Sequence, residues 1–214
     1  MKPNLKDIFS GQIYGITCFE TSCGRGNKYV VREMLKAGIR IIQYREKFRT
    51  KKIKYEECCW LRKITRKYNA LFIINDDVDL AILCGSDGIH IGQDDLPLKD
   101  VRKLIKPDQF IGLSTHNPKQ AKEALRIGAD YIGVGPIYPT QTKRHATQAV
   151  GLEYIRYVSQ NIDLPFVAIG GIKEHNIAGI LEAGARCVSL VTEITEASNI
   201  QQKIKNIQVG FRPA

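Results

Sequence analysis

Several things are scarce in this chain, and each scarcity excludes something. Long apolar runs are missing: "LFII" and "LAILC" fall far short of the roughly 20 apolar residues that a membrane span requires. The N-terminal stretch "MKPNLKDIFSGQIYGIT" contains no long apolar core, so no secretory signal is expected and a cytoplasmic location is. No CxxC pair occurs among the six cysteines, and Cys58 and Cys59 are adjacent. That spacing fits neither a zinc site nor a secreted disulfide scaffold; it reads as reduced, mostly buried thiols. No GxGxxG opens a helix, which leaves a doubly wound dinucleotide fold with little support. Linkers and low-complexity stretches are also absent, so residues 1–214 read as one domain. Acidic residues are the scarcer charge, 22 against 32 Lys and Arg, for a net charge of +10. Such a balance suits either a nucleic-acid or membrane-surface binder or an enzyme that handles anionic, phosphorylated substrates. The densest basic stretch, "REKFRTKKIK" at 45–54, is also ordinary for a solvated loop and helix face.

What the chain does contain is a regular alternation. Hydrophobic residues make up 43%, enough for a sizeable core and too many for disorder. Eight β-rich runs are predicted as strands: 13–17, 39–45, 71–76, 88–92, 110–116, 131–138, 165–171 and 187–193. Several are near-continuous Ile, Val, Phe and Leu, as expected for strands covered on both faces of a parallel sheet. Helical patterns separate them, and three end alike in "KAGIR", "RIGAD" and "EAGAR", a glycine stop before a new strand. Eight β/α units in 214 residues predict an α/β fold, a (β/α)₈ TIM barrel with little decoration.

In such a barrel the active site lies at the C-terminal ends of the strands. The polar residues fall there. Strand 2 ends in Gln43, Arg45 and Lys47, strand 3 in Asn75 and Asp76, and strand 4 runs into Asp94 and Asp95. Strand 5 ends in Ser114 and His116, strand 6 runs into Thr140, Thr142 and Lys143, and strand 7 ends in Gly170 and Gly171. Strand 8 carries Val191 and Thr192. Arg45, Lys47 and Lys143 would converge with two carboxylates, Asp76 and Asp95. Cations alone would bind phosphate; carboxylates beside them would cancel that attraction unless a cation lay between. Mg²⁺ takes one or two protein carboxylates and fills its other positions with phosphate oxygens and water. The pattern therefore points to a Mg²⁺–diphosphate ligand gripped by Arg45; a salt-bridge ring at the barrel mouth is the structural alternative. A second phosphate site is expected at "GGIKEHN", where glycines let backbone N–H groups approach an oxyanion, with Thr140, Thr142 and Thr192 hydroxyls nearby. The segment "RHATQAV" after Lys143 is long enough to serve as a water-excluding lid.

The motifs "QYREK", "INDD", "DGIHIGQDD", "GLSTH", "ADYIGVGPIYPTQTK" and "AIGGI", in this order over residues 39–172, resemble those of the thiamine phosphate synthase family. The resemblance implies a transferase that joins hydroxymethylpyrimidine diphosphate to a thiazole phosphate carboxylate, releasing diphosphate and CO₂. It implies that diphosphate leaves first and that the thiazole nitrogen attacks the resulting pyrimidine cation. It implies that Gln43, Tyr44, Arg45, Glu46, Lys47, Asn75, Ser114 and Lys143 hold the pyrimidine diphosphate, with Ser114, Lys143, Arg45 and Lys47 doing the chemistry. Asp76 and Asp95 would ligate the Mg²⁺ cofactor, and Thr140, Thr142, Gly171, Val191 and Thr192 would hold the thiazole phosphate. The chain departs from the family at Thr192, usually serine, and in the more basic "RHATQAVG". His90 reads as a satisfied core residue, and none of the four histidines is expected to be catalytic. Small phosphorylated molecules are the expected partners, with no nucleic acid and no membrane; a homo-oligomer is compatible with the chain. Two rivals stand beside this reading: a thiazole tautomerase on the same scaffold, which needs no Mg²⁺–diphosphate machinery, and a non-catalytic phosphate-ligand sensor or nucleic-acid binder.

Overall fold

The computed structural model describes residues 4–140 and 148–211. Eight strands, β1 (Gln12–Ile16), β2 (Ile41–Tyr44), β3 (Leu71–Asn75), β4 (Gly88–Ile91), β5 (Phe110–Thr115), β6 (Tyr131–Val134), β7 (Phe166–Ile169) and β8 (Cys187–Ser189), run parallel and close into a barrel in chain order. Pairing of Gln12 with Cys187 joins β8 back to β1. The helices are α1 (Leu5–Phe9), α2 (Gly26–Lys36), α3 (Lys51–Lys67), α4 (Val78–Cys84), α5 (Leu98–Leu104), α6 (Pro118–Arg126), α7 (Gly151–Asn161), α8 (Ile177–Glu182), α9 (Val191–Thr195) and α10 (Ile200–Val209). Local sequence sets their ends. Asn117 caps α6 by accepting from the Gln120 N–H at 3.0 Å, Pro118 occupies the first turn, and Gly128 (φ 82°) ends the segment. Among the described residues, no helix is long and apolar enough to cross a membrane.

The period of two along each strand divides the core in two. Ile41, Ile73, Phe110, Tyr131, Val167 and Cys187 point inward with Tyr14 and Ile16, and α1 closes the lower end with Leu5 and Phe9. Ile42, Tyr44, Phe72, Ile74, Ile89, Ile111, Ile132, Ala168 and Val188 point outward into the helix layer. Both faces are buried, which is why the strands read as continuous apolar runs.

Seven of the eight strands are shorter than the sequence predicts, β6 and β8 the most, by four residues each. β6 ends at Val134 because Pro136 has no N–H to give a ladder, although Ile137 and Tyr138 still donate to the carbonyls of Ile169 and Gly170 (both 3.0 Å). β8 ends at Ser189, level with the point where its neighbour β7 leaves the sheet at Gly170 (φ 103°). The β-branched "VTEIT" that follows folds as α9 instead. Val191 and Thr192 therefore begin a short helix above the barrel rather than ending a strand.

Candidate active site

Alternation decides which residues of "QYREK" can reach the barrel mouth. Gln43 and Arg45 follow the inward phase of β2, and Tyr44 follows the outward phase. Arg45 lines a cavity of about 490 Å³ at the C-terminal ends of the strands. Its backbone N–H is held by the Thr17 hydroxyl at 2.9 Å, which ties the end of β1 to the end of β2. Gln43 is buried and donates from Nε2 to the Tyr14 hydroxyl at 2.9 Å, inside the barrel. Tyr44 turns to the helix layer and donates to Glu57 at 2.7 Å. Glu46 is also turned away: it is 5% exposed and accepts the Phe19 N–H at 3.1 Å. Burial raises the Glu46 carboxyl to about 7, against hydrogen bonds from Asn27 and Thr17 that lower it.

Ser114, Thr140, Gly171, Val191 and Thr192 share the Arg45 cavity. Ser114 sits on the inward phase of β5, with its Oγ 2.9 Å from His90 Nε2. Gly171 has φ 63°, and a Cβ there would lie 2.7 Å from both the Pro139 carbonyl oxygen and the Tyr138 Cβ, so only glycine lets the β6 and β7 loops meet. Thr142, Lys143 and most of the expected lid segment lie outside the described residues.

Lys47, Asp76 and Asp95 form a second cluster on the β2–β4 side of the rim. Lys47 pairs with Asp76. Asp76 adopts the left-handed region (φ 58°), unusual for a residue with a Cβ, and its N–H donates to the His90 carbonyl at 2.9 Å. Burial and the nearby Asp95 raise its carboxyl above the ordinary value even though Lys47 opposes the shift. Asp95 accepts the Gly92 N–H at 2.7 Å. Asn75 is half-buried at the end of β3, one residue before Asp76. Next door, Asp77 takes Lys51 at 2.6 Å and Lys54 at 2.9 Å. Burial works against ionisation of Asp77, but the two ammonium groups outweigh it and hold its carboxyl below the usual range. Much of the basic stretch 45–54 is thus engaged within the molecule: Arg45 lines the cavity, Lys47, Lys51 and Lys54 are in ion pairs, and Arg49 lies over the Phe19 ring at 4.1 Å.

The family profile described as thiamine monophosphate synthase matches residues 13–194. The chain belongs to that family. It is 53% identical over 204 residues to the thiamine-phosphate synthase of Pelotomaculum thermopropionicum, covering 95% of this chain and 94% of that one. Its identity to the thiamine-phosphate synthase of Caldicellulosiruptor saccharolyticus is 51%, over 92% of this chain and 90% of the relative. Among solved structures it superposes on the thiamine phosphate pyrophosphorylase of Pyrococcus furiosus with a TM-score of 0.88 and 30% identity, covering 97% and 98% of the two chains. As a member of the thiamine monophosphate synthase family the chain is an enzyme, a transferase.

The fold also brings to the cavity residues that sequence reasoning left unassigned. Lys173, two residues after Gly171, reaches the Thr192 hydroxyl at 3.1 Å and the Glu193 carboxylate at 3.1 Å. Its place two residues after the glycine pair was the available signal. Thr21 and Glu196 arrive from the loops after β1 and β8, far apart in sequence and linked to no motif. Ser189 lines the same wall, and its buried Oγ has no hydrogen-bond partner within the protein among the described residues. A buried hydroxyl left open at a cavity wall suits a ligand atom. His116 lines the cavity too, with Nδ1 against the Gly135 carbonyl.

Proposed function

We propose that this enzyme is a Mg²⁺-dependent thiamine phosphate synthase, coupling hydroxymethylpyrimidine diphosphate with a thiazole phosphate carboxylate to give thiamine phosphate, diphosphate and CO₂. One observation carries the reading: Arg45 and the Lys47–Asp76–Asp95 cluster stand on one part of the rim, and a glycine- and hydroxyl-rich wall (Gly170, Gly171, Ser189, Thr192) lines another part of the same mouth. A diphosphate fits the first and a phosphate monoester the second.

The donor set fits Mg²⁺. Asp76 and Asp95 are hard oxygen donors, Asp95 lies close enough to disfavour ionisation of Asp76, and a divalent cation relieves that repulsion. When bound, Mg²⁺ supplies neutralisation of charge on the diphosphate oxygens. Arg45, Lys47 and Lys143 stabilise the negative charge that grows as diphosphate departs, an electrostatic task suited to fixed cations. Gln43, Asn75 and Ser114 orient the pyrimidine, and the cavity walls screen its cation from water until the thiazole nitrogen attacks. Gly171, Val191 and Thr192, with Thr140 and Thr142, hold the thiazole phosphate through backbone N–H groups and hydroxyls beside a short helix start.

Diphosphate release and thiamine phosphate formation, measured with and without Mg²⁺, test the reading. Mg²⁺-dependent coupling is expected in the wild type and a loss of at least about 100-fold in Asp95→Ala, the scale of removing one preorganised electrostatic contact. Binding of both substrates without coupling would move the assignment to a tautomerase or a phosphate-ligand sensor.

A further inference from the structure

A hydrogen-bonded chain crosses the barrel interior beneath the cavity. Gln43 Nε2 lies 2.9 Å from the Tyr14 hydroxyl, which lies 2.9 Å from the Tyr131 hydroxyl. The Tyr131 hydroxyl lies 3.0 Å from His90 Nδ1, and His90 Nε2 lies 2.9 Å from Ser114 Oγ. The fold makes room for this chain. A Cβ on Gly112 would fall 2.1 Å from the Tyr131 ring, and one on Gly133 would fall 3.2 Å from the His90 ring.

The direction of the chain follows from counting hydrogens. An amide nitrogen only donates, so Tyr14 accepts from Gln43, and giving its single hydrogen to Tyr131 is the arrangement that leaves no buried hydroxyl hydrogen of the chain unpaired. Tyr131 then gives its own hydrogen to His90 Nδ1. That nitrogen carries a lone pair, so the ring proton sits on Nε2 and is donated to Ser114 Oγ. Burial disfavours ionisation of both phenols, raising them above the ordinary tyrosine value, which keeps the two hydroxyl hydrogens in place. With its oxygen already accepting, the Ser114 hydroxyl directs its hydrogen into the cavity.

We infer that His90, with Tyr131 and Tyr14 behind it, is a positioning residue that sets Ser114 as a hydrogen-bond donor to an acceptor on the bound substrate, a phosphate oxygen or an aromatic ring nitrogen. The inference rests on the proposed function only in taking Ser114 to touch substrate. It explains why a histidine, two tyrosines and a glutamine occupy an interior that aliphatic side chains fill elsewhere.

Two measurements decide it. The first is the ¹⁵N spectrum of the imidazoles in the wild-type enzyme at neutral pH, with the His90 signals found by elimination using His116→Gln, His145→Gln and His175→Gln. The expected state is a proton on Nε2 and none on Nδ1, shifting to a mixture in Tyr131→Phe. A proton on Nδ1 in the wild type reverses the chain and overturns the inference, and this test needs no variant of the relay to fold. The second is a double-mutant cycle on turnover. Tyr131→Phe is expected to lose about tenfold, the scale of one hydrogen bond, and to lose nothing further in a Ser114→Ala background. Losses that multiply overturn the coupling. Full activity in Ser114→Ala with the Nε2 proton in place overturns instead the assignment of Ser114 to the substrate site, and leaves the relay supported.

Discussion

At the scale of single residues, two positions show how local chemistry constrains the site. Gly171 sits in the left-handed region with the β6 loop against it. Gly171→Ala should cost about 1–2 kcal/mol from backbone strain alone, and more from the collision with Pro139 and Tyr138. A lowered midpoint in thermal unfolding and a raised KM for the thiazole substrate are the expected outcomes. Glu46 is the second. Its folded-state value of about 7 lies above the ordinary 4.5, so between these values the folded chain keeps a proton that the unfolded chain releases. Folding weakens as pH rises through that window, and the penalty is complete above it. Glu46→Gln should therefore raise Tm, and the gain should be larger at about pH 8 than at about pH 5. Equal gains at both values would mean that burial does not raise this carboxyl.

At the scale of elements, the barrel positions its chemistry through loops tied to one another. Arg25, at the start of α2, donates to the carbonyls of Ala197 at 2.7 Å and Thr195 at 2.6 Å, and the Thr21 and Thr195 hydroxyls meet at 2.6 Å. The loop after β1 thereby holds the segment containing α9, whose first residues line the cavity. Arg25→Ala leaves two carbonyls without their charged donor and should cost roughly 1–3 kcal/mol. Its catalytic effect should fall on KM for the thiazole substrate and leave KM for the pyrimidine diphosphate unchanged. An equal rise in both would mean that the loop supports the whole mouth rather than one side of it.

At the scale of the whole molecule, the net charge of +10 is partly organised around the site, because Arg45 and Lys47 stand at the mouth while Lys51 and Lys54 are held by Asp77. A ligand that bridges the rim should stabilise the fold by mass action, by about 2.7 kcal/mol at 100 times its Kd. Diphosphate and Mg²⁺ together should raise Tm in the wild type, and neither alone should match the pair. Asp95→Ala should abolish the extra shift. The stabilisation should also shrink as salt is raised, since part of the attraction is long-range.

The order of strands, the barrel, and the gathering of polar residues at strand ends were legible in the sequence because each follows from periodicity and from the rule that parallel strands share one direction. Inward Gln43 and Arg45 and outward Tyr44 also follow from alternation, once the barrel phase of β2 is set by Ile41. Other features depended on tertiary structure. "CVSLVTE" looks like one long strand, but β8 stops at Ser189 and the rest turns into α9, which the local sequence does not reveal. Lys173, Thr21 and Glu196 follow different strands and Ser189 ends β8, and only closure of the barrel makes them walls of one cavity. His90 is a core histidine by sequence; what it does there depends on Tyr131, Tyr14 and Gln43, brought to it by strands that pairing places side by side and across the barrel. Sequence determines which chemistry each strand end carries, since that is written locally. The fold decides which side chains meet, because the contacts are long-range and depend on the phase and length of every neighbouring strand.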